Sequence, residues 1–171
     1  MAVARVSIQT ADFDLSAELA ALRAHDGGVG AVASFVGTVR DRTHAGEGGQ
    51  GVSAMELEHY PGMTERSIDA MIDAALARFD IRAARVVHRV GRLQPGDQIV
   101  LVAVSATHRG TAFQACEFLM DYLKSQAPFW KKETTTDGAR WVDARVSDEA
   151  AAQRWGLWQP GQPAQASEAG R

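Results

Sequence analysis

The sequence has few of the residues and patterns that several protein classes need. One cysteine among 171 residues cannot form an internal disulfide, and there is no CxxC pair for a metal or a redox reaction. The glycine fingerprints of a dinucleotide-binding fold and of a phosphate-binding loop are both missing. These absences exclude a disulfide scaffold and favour a reducing compartment, so we predict a cytoplasmic protein.

Long apolar runs and a strong charge of one sign are also missing. The longest apolar run, 99–104, is far shorter than the roughly 20 residues that a membrane-spanning helix needs. No basic segment followed by an apolar core opens the sequence, so we expect no export. With 18 basic and 21 acidic residues the net charge is −3, which gives no overall attraction to nucleic acid or an anionic membrane. An anion-binding site must therefore be local.

The hydrophobic content, 46%, is sufficient for one domain with an apolar core. We predict a single domain over residues 1–155 and a flexible tail over 156–171, because the tail is rich in Gly, Pro, Gln and Ala without a periodic apolar face. Apolar residues recur at helical spacing in two long segments, 64–79 and 108–126, and in a shorter one, 14–25.

Strand-like patterns separate these helices. The segment 98–107 is so uniformly apolar that we expect both of its faces to be covered, and the turn before it predicts a hairpin with 84–93 in the middle of the sheet. The segment 31–40 predicts a buried strand that opens into a polar, glycine-rich loop over 41–51. The other predicted strands are 3–9, 53–60, 129–135 and 139–145. The order indicates an α+β fold with a mixed, largely antiparallel sheet and two long helices.

Two details of the long helices can also be predicted. Thr64 is a suitable N-cap for the first of them. In the second, Phe113, Cys116 and Met120 fall on one apolar stripe, where a cysteine behaves as a small hydrophobe rather than a nucleophile.

Lys124 lies where the second long helix ends, and two interpretations are open. A cation in the last turn is favoured by the helix dipole by about 0.3–1 kcal/mol, with no further role. Alternatively, partial burial against Phe113 and Met120 lowers its pKa and leaves an amine able to transfer protons or attack a carbonyl carbon. Pro128 then ends the helix.

The strand after Pro128 places Phe129, Lys131 and Glu133 on one face by its period of two. These side chains either line a site with Lys124 or belong to a solvated edge strand, where lysines discourage edge-to-edge pairing.

Further anion contacts are possible at two strand ends. His108 and Arg109 stand where a strand gives way to a helix N-terminus, whose free N–H groups favour anions. The alternative is that Thr107 caps this helix and both side chains face water. Arg40 ends another strand, with a fork suited to phosphate. His108 lacks a second ligand at metal-binding spacing, so no metal site is predicted.

Five arginines, at positions 78, 82, 85, 89 and 92, raise the hypothesis of an RNA-binding surface. Aromatic residues are not interleaved among them, and the chain is acidic overall, so a solvated face or a subunit contact is the favoured interpretation.

Four segments together resemble the large, catalytic subunits of molybdopterin synthase, the MoaE family. They are "LEHYPGMTE" at 57–65, "VVHRVGRLQPGDQIV" at 86–100, "THRGTAF" at 107–113 and "MDYLKSQAPFWKKE" at 120–133. The resemblance runs from about residue 30 to Trp155. It implies an α/β-hammerhead fold and a homodimer with one small ubiquitin-like sulfur-carrier subunit bound at each end, which makes a heterotetramer.

The implied reaction moves two sulfur atoms from the C-terminal Gly-Gly thiocarboxylate of the small subunit to cyclic pyranopterin monophosphate, which creates the molybdopterin dithiolene. No cofactor or metal on this chain is implied. The alternative function is a non-catalytic homodimeric module that binds a phosphorylated pterin or a nucleotide.

The resemblance also implies roles for individual residues. Lys124 matches the catalytic lysine, and Lys131 is expected to assist it while contacting the substrate. Both are therefore also substrate-binding residues. The remaining substrate-binding residues implied are Thr38, Val39, Arg40, His108, Arg109, Lys132 and Glu133. Of these, the pair at the start of the second long helix is expected to bind phosphate from across the dimer.

Overall fold

The computed structural model describes residues 4–42, 51–142, 150–151 and 153–156. Strands and helices alternate irregularly within these ranges, as an α+β chain requires. In chain order the elements are β1 Val6–Gln9, α1 Leu15–Arg23, β2 Ala31–Thr38, β3 Val52–His59, α2 Met63–Arg78, β4 Ile81–Arg89, β5 Gly91–Leu93, β6 Gln98–Ala106, α3 Arg109–Gln126, β7 Phe129–Thr135 and β8 Gly138–Val142.

The strands form two four-stranded sheets rather than the single sheet that the sequence suggested. The first sheet has the order β1-β4-β6-β2, in which only β1 and β4 are parallel. The second has the antiparallel order β5-β3-β7-β8. The predicted strand 84–93 divides at Gly91, whose φ of 85° lets the chain leave one sheet and enter the other. The α+β class and the largely antiparallel pairing are confirmed.

The first sheet is covered on both faces, as the apolar pattern of 98–107 predicted. Val102 and Val104 of β6 face a core shared with α2 and α3, and Leu101 and Ala103 face a smaller core under α1. Alternate residues of β6 therefore serve different helices. The β4–β6 hairpin lies in the middle of this sheet, which confirms its predicted place.

Two expectations about burial were wrong. The strand β2 forms an edge of the first sheet, so Phe35 is 39% exposed rather than buried. Phe113 of α3 is 65% exposed. The buried arc of α3 includes Ala115 and Phe118 instead, because this helix packs against α2 as well as against the sheet.

The first turn of α2 differs from the predicted cap. Gly62, with a φ of 80°, is the N-cap, and its N–H donates to the Glu65 carboxylate at 2.6 Å. Thr64 is buried inside the helix and accepts from the Tyr60 N–H at 2.9 Å. Its hydroxyl donates to the Pro128 carbonyl at 3.1 Å. Thr64 therefore ties the start of α2 to the start of β7.

Trp155 closes the described part of the chain over the first sheet. Its ring packs edge to face on Phe79 and Phe118, and its indole N–H donates to Asp121 at 2.7 Å. The predicted loop over 41–51 and the last predicted strand lie only partly within the described residues, and 157–171 of the predicted tail lie outside them. In the described ranges, no helix has both the length and the apolar character needed to cross a bilayer.

Candidate functional site

A cleft of about 590 Å³ lies where the two sheets meet the C-terminal end of α3. Its walls come from the end of β2, the start of β6, the last turns of α3 and the inner face of the second sheet. Its basic lining residues are Arg40, Arg42, Lys124 and Lys131, while Glu133 is the carboxylate among the described residues that line it. Cations outnumber carboxylates among these lining residues, so the cleft is a candidate for the local anion site that the acidic composition led us to expect.

Lys124 occupies the last turn of α3 and lines the cleft with Met120 and Leu123. Its side chain is exposed, so the predicted partial burial is wrong in the single chain. Phe113, which was expected to cover it, faces solvent instead. In the part of the chain that the structure describes, its ammonium group forms no ion pair. The charge of Lys124 is therefore available to a ligand in the cleft.

The strand β7 carries the second group of cleft residues, and the predicted face is confirmed. Phe129, Lys131 and Glu133 all line the cleft. The Lys131 ammonium lies 3.0 Å from the buried Glu133 carboxylate, which limits the directions in which this lysine can point. Because β7 pairs with β3 on one side and β8 on the other, the edge-strand alternative is wrong.

Lys132 points to the opposite face of the same strand. Its ammonium lies 5.6 Å from the centre of the Trp141 ring, and Glu56 is its partner across β3. The structure therefore does not bring Lys132 into the cleft with Lys131.

The last residue of β2 and the two residues after it do not all face the cleft. Thr38 and Arg40 line the cleft, whereas Val39 is buried against Met55 and Leu57 of β3. The Val39 N–H donates to the Asp97 carbonyl at 2.9 Å. This anchorage holds the residues on either side of Val39 at the mouth of the cleft, although the Val39 side chain lies outside it.

His108 and Arg109 are exposed at the N-terminal end of α3. His108 rather than Thr107 is the N-cap, so that part of the alternative is wrong, whereas its expectation that both side chains face water is confirmed. A helix of 18 residues is about 27 Å long, and Lys124 lies in its last turn. One chain therefore does not bring this pair to the cleft, and a shared site needs a second chain.

The sequence analysis did not identify His88 as a site residue. It lies on β4, lines the cleft, and stacks on Phe129 with ring centres 3.9 Å apart and planes 17° apart. Its Nδ1 lies 2.8 Å from the Arg89 carbonyl oxygen. Burial lowers the pKa of His88 to about 4, and the nearby His59 acts in the same direction. A histidine inside an apolar strand was the available signal.

Two other groups have structural surroundings. Burial raises the pKa of the Cys116 thiol to about 11, which confirms that it behaves as a hydrophobe. Several of the five arginines that raise the RNA-binding hypothesis form ion pairs or hydrogen bonds within the chain. Arg85 pairs with Glu18 at 2.7 Å, Arg82 pairs with Asp26, and Arg78 donates to the Trp155 carbonyl at 2.8 Å. These contacts remove the support for an RNA surface.

Comparison with known proteins agrees with this architecture. A molybdopterin synthase catalytic subunit of Ralstonia nicotianae is 64% identical over 152 residues, which cover 89% of this chain and 84% of that protein. The solved molybdopterin biosynthesis MoaE protein from Burkholderia ambifaria is 58% identical, with a TM-score of 0.77, and the alignment covers 91% of this chain and all of the other.

A more distant solved structure shares the fold alone. It is a protein-protein complex of subunits 1 and 2 of molybdopterin-converting factor from Helicobacter pylori, with a TM-score of 0.67 at 19% identity over 83% of this chain and 92% of that one. The family model described as MoaE protein matches residues 8–126. With that match and the close relatives above, the chain belongs to the MoaE protein family.

Proposed function

We propose that this chain is the catalytic subunit of a molybdopterin synthase and that it transfers sulfur to a phosphorylated pterin. The observation that carries the proposal is the cationic cleft, which Lys124 of α3 and Lys131 of β7 both line, in a chain whose close relatives are named molybdopterin synthase catalytic subunits. The family resemblance implies that both lysines are catalytic and substrate-binding residues.

The size and charge of the cleft suit cyclic pyranopterin monophosphate. Ligand pockets commonly enclose about 300–1,000 Å³, and the cleft falls within this range. Arg40 and Arg42 offer planar forks at its mouth, which can bind a phosphate through two parallel hydrogen bonds. Apolar walls from Met55, Leu57 and Ile99 provide the surface that a flat heterocycle needs.

The sulfur is proposed to come from a partner rather than from this chain. The only thiol, Cys116, is buried, and its raised pKa keeps it protonated near neutral pH. A thiocarboxylate at the C-terminal Gly-Gly of a small ubiquitin-like subunit supplies an anionic sulfur instead, and an extended tail can enter the cleft to reach Lys124. Two such subunits on a homodimer make the proposed heterotetramer.

The two lysines are assigned different tasks. Each transfer replaces a carbon–oxygen bond of the pterin side chain by a carbon–sulfur bond, and the displaced oxygen leaves as water or stays on the phosphate. Hydrolysis then breaks the acyl carbon–sulfur bond of the partner, whose terminus leaves as a carboxylate. Lys124, exposed and without an ion pair among the described residues, is proposed to move protons during these steps. Lys131, held by Glu133, is proposed to stabilise developing negative charge.

The homodimer is proposed to complete each cleft. His108 and Arg109 lie at the far end of α3 from Lys124, so they contribute only if a second chain brings its own pair to the cleft. Exposed apolar side chains support an interface, since Phe35 of β2 and Phe113 of α3 line one shallow groove that Lys124 also borders.

The experiment measures molybdopterin formation from cyclic pyranopterin monophosphate and thiocarboxylated small subunit, with the wild-type protein and Lys124→Ala. General acid–base groups contribute about 100- to 10,000-fold, so we expect a loss in that range. Arg23→Ala is the matched control, because Arg23 is also an exposed cation in the last turn of a helix. Thermal unfolding and partner binding must be unchanged in both variants.

Each outcome separates the candidate functions. Turnover lost only in Lys124→Ala supports the enzyme. Equal turnover in both variants would move the chemistry away from Lys124. Binding of the pterin without turnover in any of the three proteins would favour the alternative, a non-catalytic homodimeric module.

A further inference from the structure

His88 reaches the cleft from the first sheet, whereas Lys131 reaches it from the second. The His88 ring lies face to face with Phe129, which occupies the same face of β7 as Lys131. A ring held between β4 and β7 in this way has little freedom to turn. Its hydrogen-bonding atoms are therefore fixed relative to the cleft.

The contact at one ring nitrogen determines where the proton lies. A carbonyl oxygen only accepts, so Nδ1 must donate its N–H to the Arg89 carbonyl at 2.8 Å. Burial lowers the pKa of His88 to about 4, so the ring carries a single proton near neutral pH. Nε2 is then a hydrogen-bond acceptor with a free lone pair.

The other observation concerns the surroundings of Nε2. Within the described ranges, Nε2 makes no hydrogen bond. In the same ranges, every side-chain nitrogen or oxygen that is fully buried from solvent has a hydrogen-bond partner. Nε2 therefore keeps some exposure to solvent although the residue is 7% exposed, and the cavity that His88 lines is the cleft.

We propose that His88 is a specificity-determining residue that presents Nε2 to the cleft as an uncharged acceptor for an N–H group of the bound heterocycle. The inference rests on the proposed function, because it assigns this acceptor to the pterin of cyclic pyranopterin monophosphate. The pyrimidine ring of a pterin carries amide and amino N–H donors, which its phosphate does not.

The remaining lining groups explain why such an acceptor is needed. The four basic side chains only donate, and the Glu133 carboxylate, although it can accept more than one hydrogen bond, is buried beside Lys131. The basic groups recognise an anion, whereas the N–H donors of a heterocycle need acceptors, and His88 adds an uncharged one from the first sheet. A buried donor without an acceptor loses affinity, so an acceptor on the cleft wall selects for the pterin itself.

Two variants isolate this atom. In His88→Gln, the longer amide side chain can place an oxygen near the position of Nε2. In His88→Asn, the shorter side chain ends near the position of Nδ1, so it can keep the bond to the Arg89 carbonyl but offers nothing to the cleft. Both lose the stack on Phe129, and each is therefore the control for the other.

We expect the KM for cyclic pyranopterin monophosphate to be about ten-fold higher in His88→Asn than in His88→Gln, the size of one lost hydrogen bond, with kcat within about two-fold. Equal KM values in two variants of equal thermal stability would overturn the inference. Wild-type turnover tests the proposed function independently, because it does not depend on either variant.

A measurement on the wild-type protein covers the case in which a variant does not fold. With ¹⁵N-labelled histidine, cyclic pyranopterin monophosphate should shift the Nε2 resonance of His88 and leave the Nδ1 resonance nearly in place. A saturating ligand that leaves Nε2 unshifted would overturn the inference. This binding experiment needs neither the partner nor turnover, so its failure is distinct from failure of the proposed sulfur transfer.

Discussion

The two sheets of this protein differ in what their residues do. Both faces of the first sheet are covered by helices, and Leu101 and Val102 of its central strand are completely buried. The second sheet turns its inner face to the cationic cleft and leaves Trp130 and Trp141 exposed, at 47% and 55%. The buried apolar core is therefore concentrated around the first sheet, whereas the second sheet supplies much of the lining of the cleft that we propose as the active site. Catalytic side chains need contact with ligand and water, which a fully covered sheet cannot provide.

The largest expected effect tests the apolar core around the first sheet. Phe118 is 1% exposed and packs edge to face on Phe79, Tyr122 and Trp155. Phe118→Ala should lower the free energy of unfolding by about 3–5 kcal/mol, because it leaves a cavity in a core that cannot fully collapse. Urea unfolding at one fixed protein concentration measures this. Turnover per folded molecule should be retained. Loss of turnover at a low temperature, where the variant is still folded, would show that this core also supports the cleft.

The next effect tests His88, which lies on the first sheet and stacks on Phe129 of the second. The pKa of His88 is about 4 in the folded chain, and an ordinary histidine has a value of about 6.5 when unfolded. Between these values the unfolded state binds a proton that the folded state does not. Stability from this group is therefore complete above pH 6.5 and falls as the pH drops toward 4, by about 3 kcal/mol.

Urea unfolding between pH 4 and 7, compared with the same series for His88→Gln, isolates this contribution. The comparison is needed because every other titratable group is the same in both proteins, so the difference between the two profiles belongs to His88 alone. Parallel pH profiles for the two proteins would contradict the assignment.

A slightly smaller effect tests Lys131, which lines the cleft from the second sheet. Lys131→Gln should lower turnover by about 100-fold, which is typical of losing one preorganised electrostatic contact in a transition state. The amide can still donate to Glu133, so thermal unfolding should change little. Lys131→Ala is the contrasting variant, since it leaves a buried carboxylate unpaired and should also be less stable. Full turnover in Lys131→Gln would remove Lys131 from the proposed mechanism.

The smallest effect compares two tryptophans. Trp155 packs against the core of the first sheet, and Trp130 lies on β7 of the second. Trp155→Phe keeps an aromatic ring but removes the N–H that donates to Asp121, and should lower the free energy of unfolding by about 1 kcal/mol. Trp130→Phe removes an indole from the exposed face of β7 and should change it by less than about 0.5 kcal/mol. Equal losses in the two variants would contradict the contrast between the sheets.

Much of this fold was predictable because it depends on local pattern. The expected helix over 64–79 is observed as Met63–Arg78, and the expected strand over 129–135 is observed with the same bounds. Alternation along that strand correctly placed Lys131 and Glu133 on one face. Each of these features follows from the spacing of neighbouring residues and from Pro128, which ends a helix wherever it stands.

Most of the errors concern partners that are distant in the sequence. Apolar residues predict burial, but Phe35 is on an edge strand and Phe113 is on the uncovered side of α3. The hydrogen bond from Thr64 to the Pro128 carbonyl, 64 positions away, leaves no local trace, so the local pattern predicts an N-cap at Thr64 instead. Nothing in the pattern of residues 84–93 shows that the chain changes sheets at Gly91.

Composition, periodicity and the breaks at Pro and Gly were therefore sufficient to establish the α+β class, the long helices and the shared strand face of Lys131 and Glu133, whereas a common site for Lys124 and Lys131 was implied only by the family resemblance. The class, the helices and the strand face arise within a few residues along the chain. The division into two sheets, the cleft between them and the place of His88 on its wall depended on packing between segments far apart in the sequence. The energy of such packing belongs to pairs of surfaces, so it is absent from any single stretch of residues.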